Sequence, residues 1–135
     1  MRSQLTPKSI RRLISADGYI TLNMPGRAIE ELEKTEEMGP LEGPRQLLMG
    51  LAQKIDGQHS KAISHLEQAA RMMPAAAKRF AWSELAGCYR TVGAEDLAAV
   101  AEQLGGDHEF ELRIALPFGE LNIVSTFAEE EFNMA

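Results

Sequence analysis

Cysteine is almost missing from this 135-residue chain, and a single Cys88 cannot close an internal disulfide. Set between Gly87 and Tyr89 on an expected packed helix, Cys88 reads as a small buried hydrophobe and not as a redox centre. Long apolar runs are missing too, so neither a membrane span nor a signal peptide is expected. Arg2, Lys8, Arg11 and Arg12 have no such run behind them, and the expected location is cytoplasmic. Positive charge is in deficit, with 14 Lys and Arg against 20 Asp and Glu and a pI of about 5.1. That balance opposes the phosphate-driven attraction behind nucleic-acid binding, although Arg11, Arg12, Lys78 and Arg79 are a possible local patch. There is no phosphate-cradling glycine loop, nucleophile elbow or dinucleotide fingerprint. His59, His65 and His108 have no partners at metal-ligand spacing, and His59 and His65 do not share a helix face. The expectation is therefore a protein that is not an enzyme, with no cofactor and no metal.

What the chain does have is a period. Ala28, Ala62 and Ala98 are 34 and 36 residues apart, and each follows by five residues a helix-stopping residue, Asn23, Gly57 or Gly93. Around the third stop stand Trp82, Leu85, Ala86 and Tyr89. Around the second are Met49, Gly50, His59, Leu66, Ala69 and Pro74, with Gln53 where an aromatic would be preferred. Around the first are Ala16, Tyr19, Leu32 and Pro40. Small residues at Gly50, Ala86 and the three alanines let paired helices approach closely, while Trp, Tyr and Leu fill the spaces between pairs. An ordinary antiparallel helical bundle would use the same residue types without a fixed period.

Punctuation sets the expected helix bounds. Thr6 caps a helix opening at Pro7 and running to about Leu22, and Pro25 opens a second, to about Glu37. Gly43 and Pro44 start a third, with Leu47, Leu48, Leu51 and Ile55 at helical spacing. The fourth covers about Gln58 to Met73, the fifth Ala76 to Val92 and the sixth Ala94 to Leu104, stopped by Gly105 and Gly106. Trp82, Leu85, Tyr89, Ala62, Leu66 and Ala98 are expected to be buried. Glu30, Glu31, Glu33, Glu36 and Glu37, with Arg27 and Lys34 interspersed, read as a solvated face.

This pattern, from about Ile10 to Leu104, resembles the tetratricopeptide repeat. The resemblance implies an all-α solenoid of three antiparallel helix pairs over residues 1–106, acting as an adaptor, co-chaperone or assembly factor. It also implies a concave groove lined by the first helix of each pair. The groove residues would be Ile10, Leu13, Asp17 and Ile20, then Leu47, Leu51 and Lys54, then Phe80, Ser83, Gly87 and Arg90. Such a groove is apolar with two cations and suits a peptide or helix that is itself apolar and acidic, unless a terminal element covers it. Chaperone-tail binders of this family clamp a carboxylate with Lys and Asn; Leu13 and Asp17 stand there instead, so that role is not expected.

Residues 107–135 form a separate arm. It holds four of the five phenylalanines, Phe110, Phe118, Phe127 and Phe132, and a net charge of −6, whereas residues 1–106 balance. Phe110, Leu112, Ile114 and Leu116 alternate with Glu109, Glu111, Arg113 and Ala115, and Pro117 to Glu120 can turn the chain before Leu121, Ile123 and Val124. The arm should therefore be non-helical, extended or a hairpin, and should dock through Phe110, Leu112, Ile114, Leu116 and Phe118 near Lys54 and Arg90. Glu129 to Glu131 read as a solvated run, and the last eight residues should fray. Two functions fit. One is a protein-interaction module holding a partner peptide in the groove; the other is a self-assembling structural protein whose arm fills its own groove or a neighbour's, the latter giving a homo-oligomer.

Overall fold

The computed structural model describes residues 5–36, 38–106, 111–117 and 119–126. Among them are six α-helices and one two-stranded antiparallel sheet: α1 (Pro7–Thr21), α2 (Pro25–Glu33), α3 (Glu42–Ile55), α4 (His59–Met72), α5 (Ala75–Thr91), α6 (Glu95–Gly105), β1 (Glu111–Leu116) and β2 (Gly119–Val124). A 3-10 turn, Gly39–Leu41, leads into α3. Thr6 caps α1 by accepting the Ser9 N–H at 3.1 Å, with Pro7 in the first turn, where a missing N–H costs nothing.

Three helix-ending turns are built alike. The backbone is left-handed at Asn23, Gly57 and Gly93, with φ of 59°, 83° and 85°. In each turn the next N–H reaches back five residues to a carbonyl at 2.8 Å: Met24 to Tyr19, Gln58 to Gln53, Ala94 to Tyr89. A second bond closes each turn, from Asn23, Gly57 and Gly93 to Ile20, Lys54 and Arg90 at 2.9–3.1 Å. This is the Schellman arrangement, which satisfies carbonyls that the helix end leaves unpaired. The following helix then starts at the same offset each time, and Ala28, Ala62 and Ala98 come to lie fully buried at the contact.

Helices adjacent in sequence pack on one another, and α1, α3 and α5 also meet to form a continuous layer. Its core contains Leu13, Leu47, Leu48, Leu51, Leu66 and Leu85, all with no exposure. The α3–α4 approach is close enough that a β-carbon at Gly50 would stand 2.6 Å from Leu66 Cγ, so only glycine fits without repacking. Behind it, His65 Nδ1 meets Gln53 Oε1 at 2.7 Å. Tyr89 donates its hydroxyl to Glu67, and burial with that carboxylate raises the phenol well above its ordinary value.

Two expectations need correction. Trp82 is half-buried, because α5 turns Ala81 and Leu85 fully inward and leaves the indole at the margin of the core. The second helix stops at Glu33, short of Glu37, which lies outside the described residues. There the Thr35 hydroxyl donates to the Leu32 carbonyl at 2.6 Å and accepts from Arg45 Nε at 2.6 Å, drawing the chain out of the helix toward α3.

The described part of the arm forms a β-hairpin. Leu116 pairs with Gly119 across a two-residue connection, and the register continues through Ile114–Leu121 and Leu112–Ile123 to Glu111–Val124. No helix among the described residues is long and apolar enough to cross a membrane.

Candidate functional site: the inner helical face and its hairpin

The hairpin lies on α1, and its last residues reach α3 and α5. A β-carbon at Gly119 would sit 3.3 Å from Ile14 Cδ1, so the start of β2 rests directly on α1. Leu121 and Ile123, two apart and so on one face of β2, are 0% and 1% exposed. Between them the Asn122 N–H donates to Asp17 Oδ2 at 2.8 Å. Burial raises the Asp17 carboxyl above its ordinary value, and this backbone hydrogen bond offsets part of the rise.

Beyond β2, Ser125 and Thr126 close over an ion pair. Lys54 Nζ on α3 is 3.1 Å from Glu84 Oε1 on α5, and the two side chains are 3% and 0% exposed. Lys54 also donates to Thr126 Oγ1 at 2.8 Å. Thr126 in turn donates to Glu84 Oε1, and Ser125 donates to Glu84 Oε2 at 2.8 Å. Both carboxylate oxygens and the ammonium are thus partnered away from water, the condition under which a buried pair is tolerable. Gly87 makes room, since a β-carbon there would stand 3.1 Å from Lys54 Nζ.

The structure separates the expected groove residues into three groups. Asp17, Lys54 and Gly87 meet at the hairpin site. Ile10, Leu13, Ile20, Leu47, Leu51 and Phe80 are buried, so they are not surface anchors of an open groove. Ser83 and Arg90 turn to α6: a β-carbon at Gly105 would stand 2.5 Å from Ser83 Oγ, and Arg90 pairs with Glu102. Among the described residues, Arg90 therefore pairs with α6 and not with the arm. Lys54 meets the arm, but it takes a hydroxyl of the arm together with a carboxylate of the helical layer, so among the described residues no acidic side chain of the arm is used there.

The docking strand also differs. Leu112, Ile114 and Leu116 are only half-buried, while β2 supplies the anchors Leu121 and Ile123. Cross-strand partners share a face of the sheet, but β2 is the strand on α1 and β1 lies outside it. Phe110 and Phe118 lie outside the described residues, as do Phe127, Phe132 and Glu129 to Glu131.

Glu84 was absent from the expected site although its signal was in the sequence. It falls four residues after Phe80 and three before Gly87, on the face they share. A carboxylate there needs a buried cation, and Lys54 provides it. Among the described residues no group of three His, Cys, Asp or Glu side chains is placed to hold a metal ion. Comparison with protein-family models and with curated proteins found no match.

Proposed function

We propose that the chain is a non-catalytic protein-interaction module, a stack of three tetratricopeptide-like helix pairs whose inner face holds an extended polypeptide segment, with the C-terminal hairpin as its built-in occupant. The period of the three turns supports the repeat reading, since identical Schellman bonds recur at Tyr19, Gln53 and Tyr89. The seat of β2 carries the functional reading. Two alternate apolar side chains are sunk into the face, the backbone between them is held by Asp17, and the two following hydroxyls are held by Glu84 and Lys54. Side-chain sockets at a spacing of two, with a polar clamp on the main chain, are what recognition of an extended peptide requires. Burying Leu121 and Ile123 contributes about 2 kcal/mol each. A partner would compete for this seat with a segment of the same pattern. The partners implied are proteins, with no nucleic acid or membrane.

The test uses the full chain with Leu121→Ser and Ile123→Ser, which removes both anchors. A fluorescent peptide of residues 119–126 should bind this variant and leave the parent unbound. If the variant keeps its helical circular dichroism but does not bind the peptide, the reading fails. Light scattering on the parent should give a monomer. A dimer that dissociates in the variant would mean that the hairpin is exchanged between copies, which favours self-assembly over partner binding.

A further inference from the structure

The outer edge of the hairpin is a different surface. The Asn122 N–H points away from β1, because it donates to Asp17. Asn122 and its partner Arg113 are therefore a non-hydrogen-bonded pair, in which both residues aim their N–H and C=O away from each other. Along β1 this orientation repeats every second residue, so Glu111, Arg113 and Ala115 all present backbone donors and acceptors outward. No backbone partner for them occurs among the described residues.

Beside that edge runs a cleft of about 450 Å³, walled by residues 112–115 on one side and by Leu41, Pro44, Met72, Met73 and Ala77 on the other. Met72, at the rim of this largely apolar recess, is 51% exposed. Methionine adapts its shape to varied apolar side chains. Arg113 lines the cleft itself, and Arg71 and Arg79 are exposed on the helices that carry the cleft residues Met72 and Ala76. Acids nearby are Glu111, bridged to Arg113 Nε at 2.9 Å with both side chains largely in water, Glu42 beside Leu41, which pairs with Arg45 Nη1 at 3.0 Å, and Glu120, the cross-strand partner of Ala115.

We propose that β1 and this cleft bind an extended, acidic and apolar peptide of a partner protein by strand addition. The outward groups of Glu111, Arg113 and Ala115 continue the sheet, alternate apolar side chains enter the cleft, and the intervening carboxylates meet Arg71, Arg79 and Arg113. This site goes beyond the reading of the inner face and has the opposite dependence on the hairpin, because one wall of the cleft is the docked β1.

The experiment is fluorescence anisotropy on the full chain with a labelled octapeptide alternating Glu and Leu, its Lys–Leu counterpart, and a Glu–Leu peptide N-methylated at alternate amides. The Glu–Leu peptide should bind at least tenfold tighter than either control, and more weakly at 500 mM than at 50 mM salt. Ala115→Pro removes one outward N–H without touching the β1–β2 ladder, and should lower affinity about tenfold. Leu121→Ser with Ile123→Ser should abolish this binding, even where it opens the inner face to the peptide of residues 119–126. Equal binding of the methylated peptide, or no effect of Ala115→Pro, overturns the proposal. So does a parent that binds only after Glu129→Ser, Glu130→Ser, Glu131→Ser and Phe132→Ser, which would make the chain's own C-terminal residues the occupant. A parent dimer dissociated by Ala115→Pro would make the occupant a second copy, and also overturns it.

Discussion

Replacing Lys54 by Met tests the hairpin seat directly. The substitution keeps most of the apolar stem of the side chain, one atom shorter, and removes its charge, leaving Glu84 with no exposure and no cation among the described residues. At 3.1 Å and an effective dielectric constant of 20, the lost attraction is about 5 kcal/mol. Glu84 keeps its hydrogen bonds from Ser125 and Thr126, so the net loss should lie near the lower end of the range for breaking a buried pair, about 3 kcal/mol. Neutralising the partner should recover most of it: in the Lys54→Met, Glu84→Gln double variant the amide oxygen still accepts from a hydroxyl, and stability should return to within about 1 kcal/mol of the parent. Equilibrium urea denaturation at pH 7 measures both variants. The loss should change little between low and high salt, because the pair is out of reach of mobile ions. A single variant within about 0.5 kcal/mol of the parent, or a double variant no better than the single, would refute the argument that Glu84 is stranded without Lys54.

Ala62→Leu should destabilise by about 1 to 3 kcal/mol, because the added atoms must enter the fully buried contact between helices; an unchanged denaturation midpoint would show that the contact yields freely. Asp17→Asn keeps an acceptor for the Asn122 N–H and removes the ionisation that burial opposes. Because burial holds the folded Asp17 pKa above its ordinary value, the native state holds more protons than the unfolded state between the two values, and the contribution of Asp17 to stability falls as pH rises through that window. The advantage of Asp17→Asn over the parent should therefore grow from pH 3.5 upward and level off above the folded pKa, as urea midpoints at several pH values would report.

Local features were legible in the sequence. A left-handed turn residue acts through its own backbone, so Asn23, Gly57 and Gly93 marked their turns without reference to the rest of the molecule. The Thr6 cap and the strand alternation around Pro117 are equally local. The site was less legible because its chemistry spans the chain. Glu84 is buried only because Lys54 lies 30 residues before it and Ser125 41 residues after it, and by itself it resembles any solvated carboxylate. The choice of β2 over β1 as the seated strand follows from where α1 lies, which alternation cannot reveal since both strands carry it. The surroundings of Ser83 and Arg90 are set by α6 in a similar way. Both turn toward α6, whereas Glu84 and Gly87 stand beside Lys54 under the hairpin.

The contact between Asp17 and Asn122 joins residues 105 positions apart, and the one between Lys54 and Thr126 joins residues 72 apart. A ribosome delivers the helices first, each closed by its own turn and packed on the helix before it. The lid over Lys54 and Glu84 emerges after all six of these helices. During that interval the ion pair is still hydrated and the sockets for Leu121 and Ile123 stand open, so the nascent chain displays the face that the finished protein covers. Closing so long a loop is slow compared with winding a helix. Synthesis therefore passes through a helical stage in which the face later covered by the hairpin is bare.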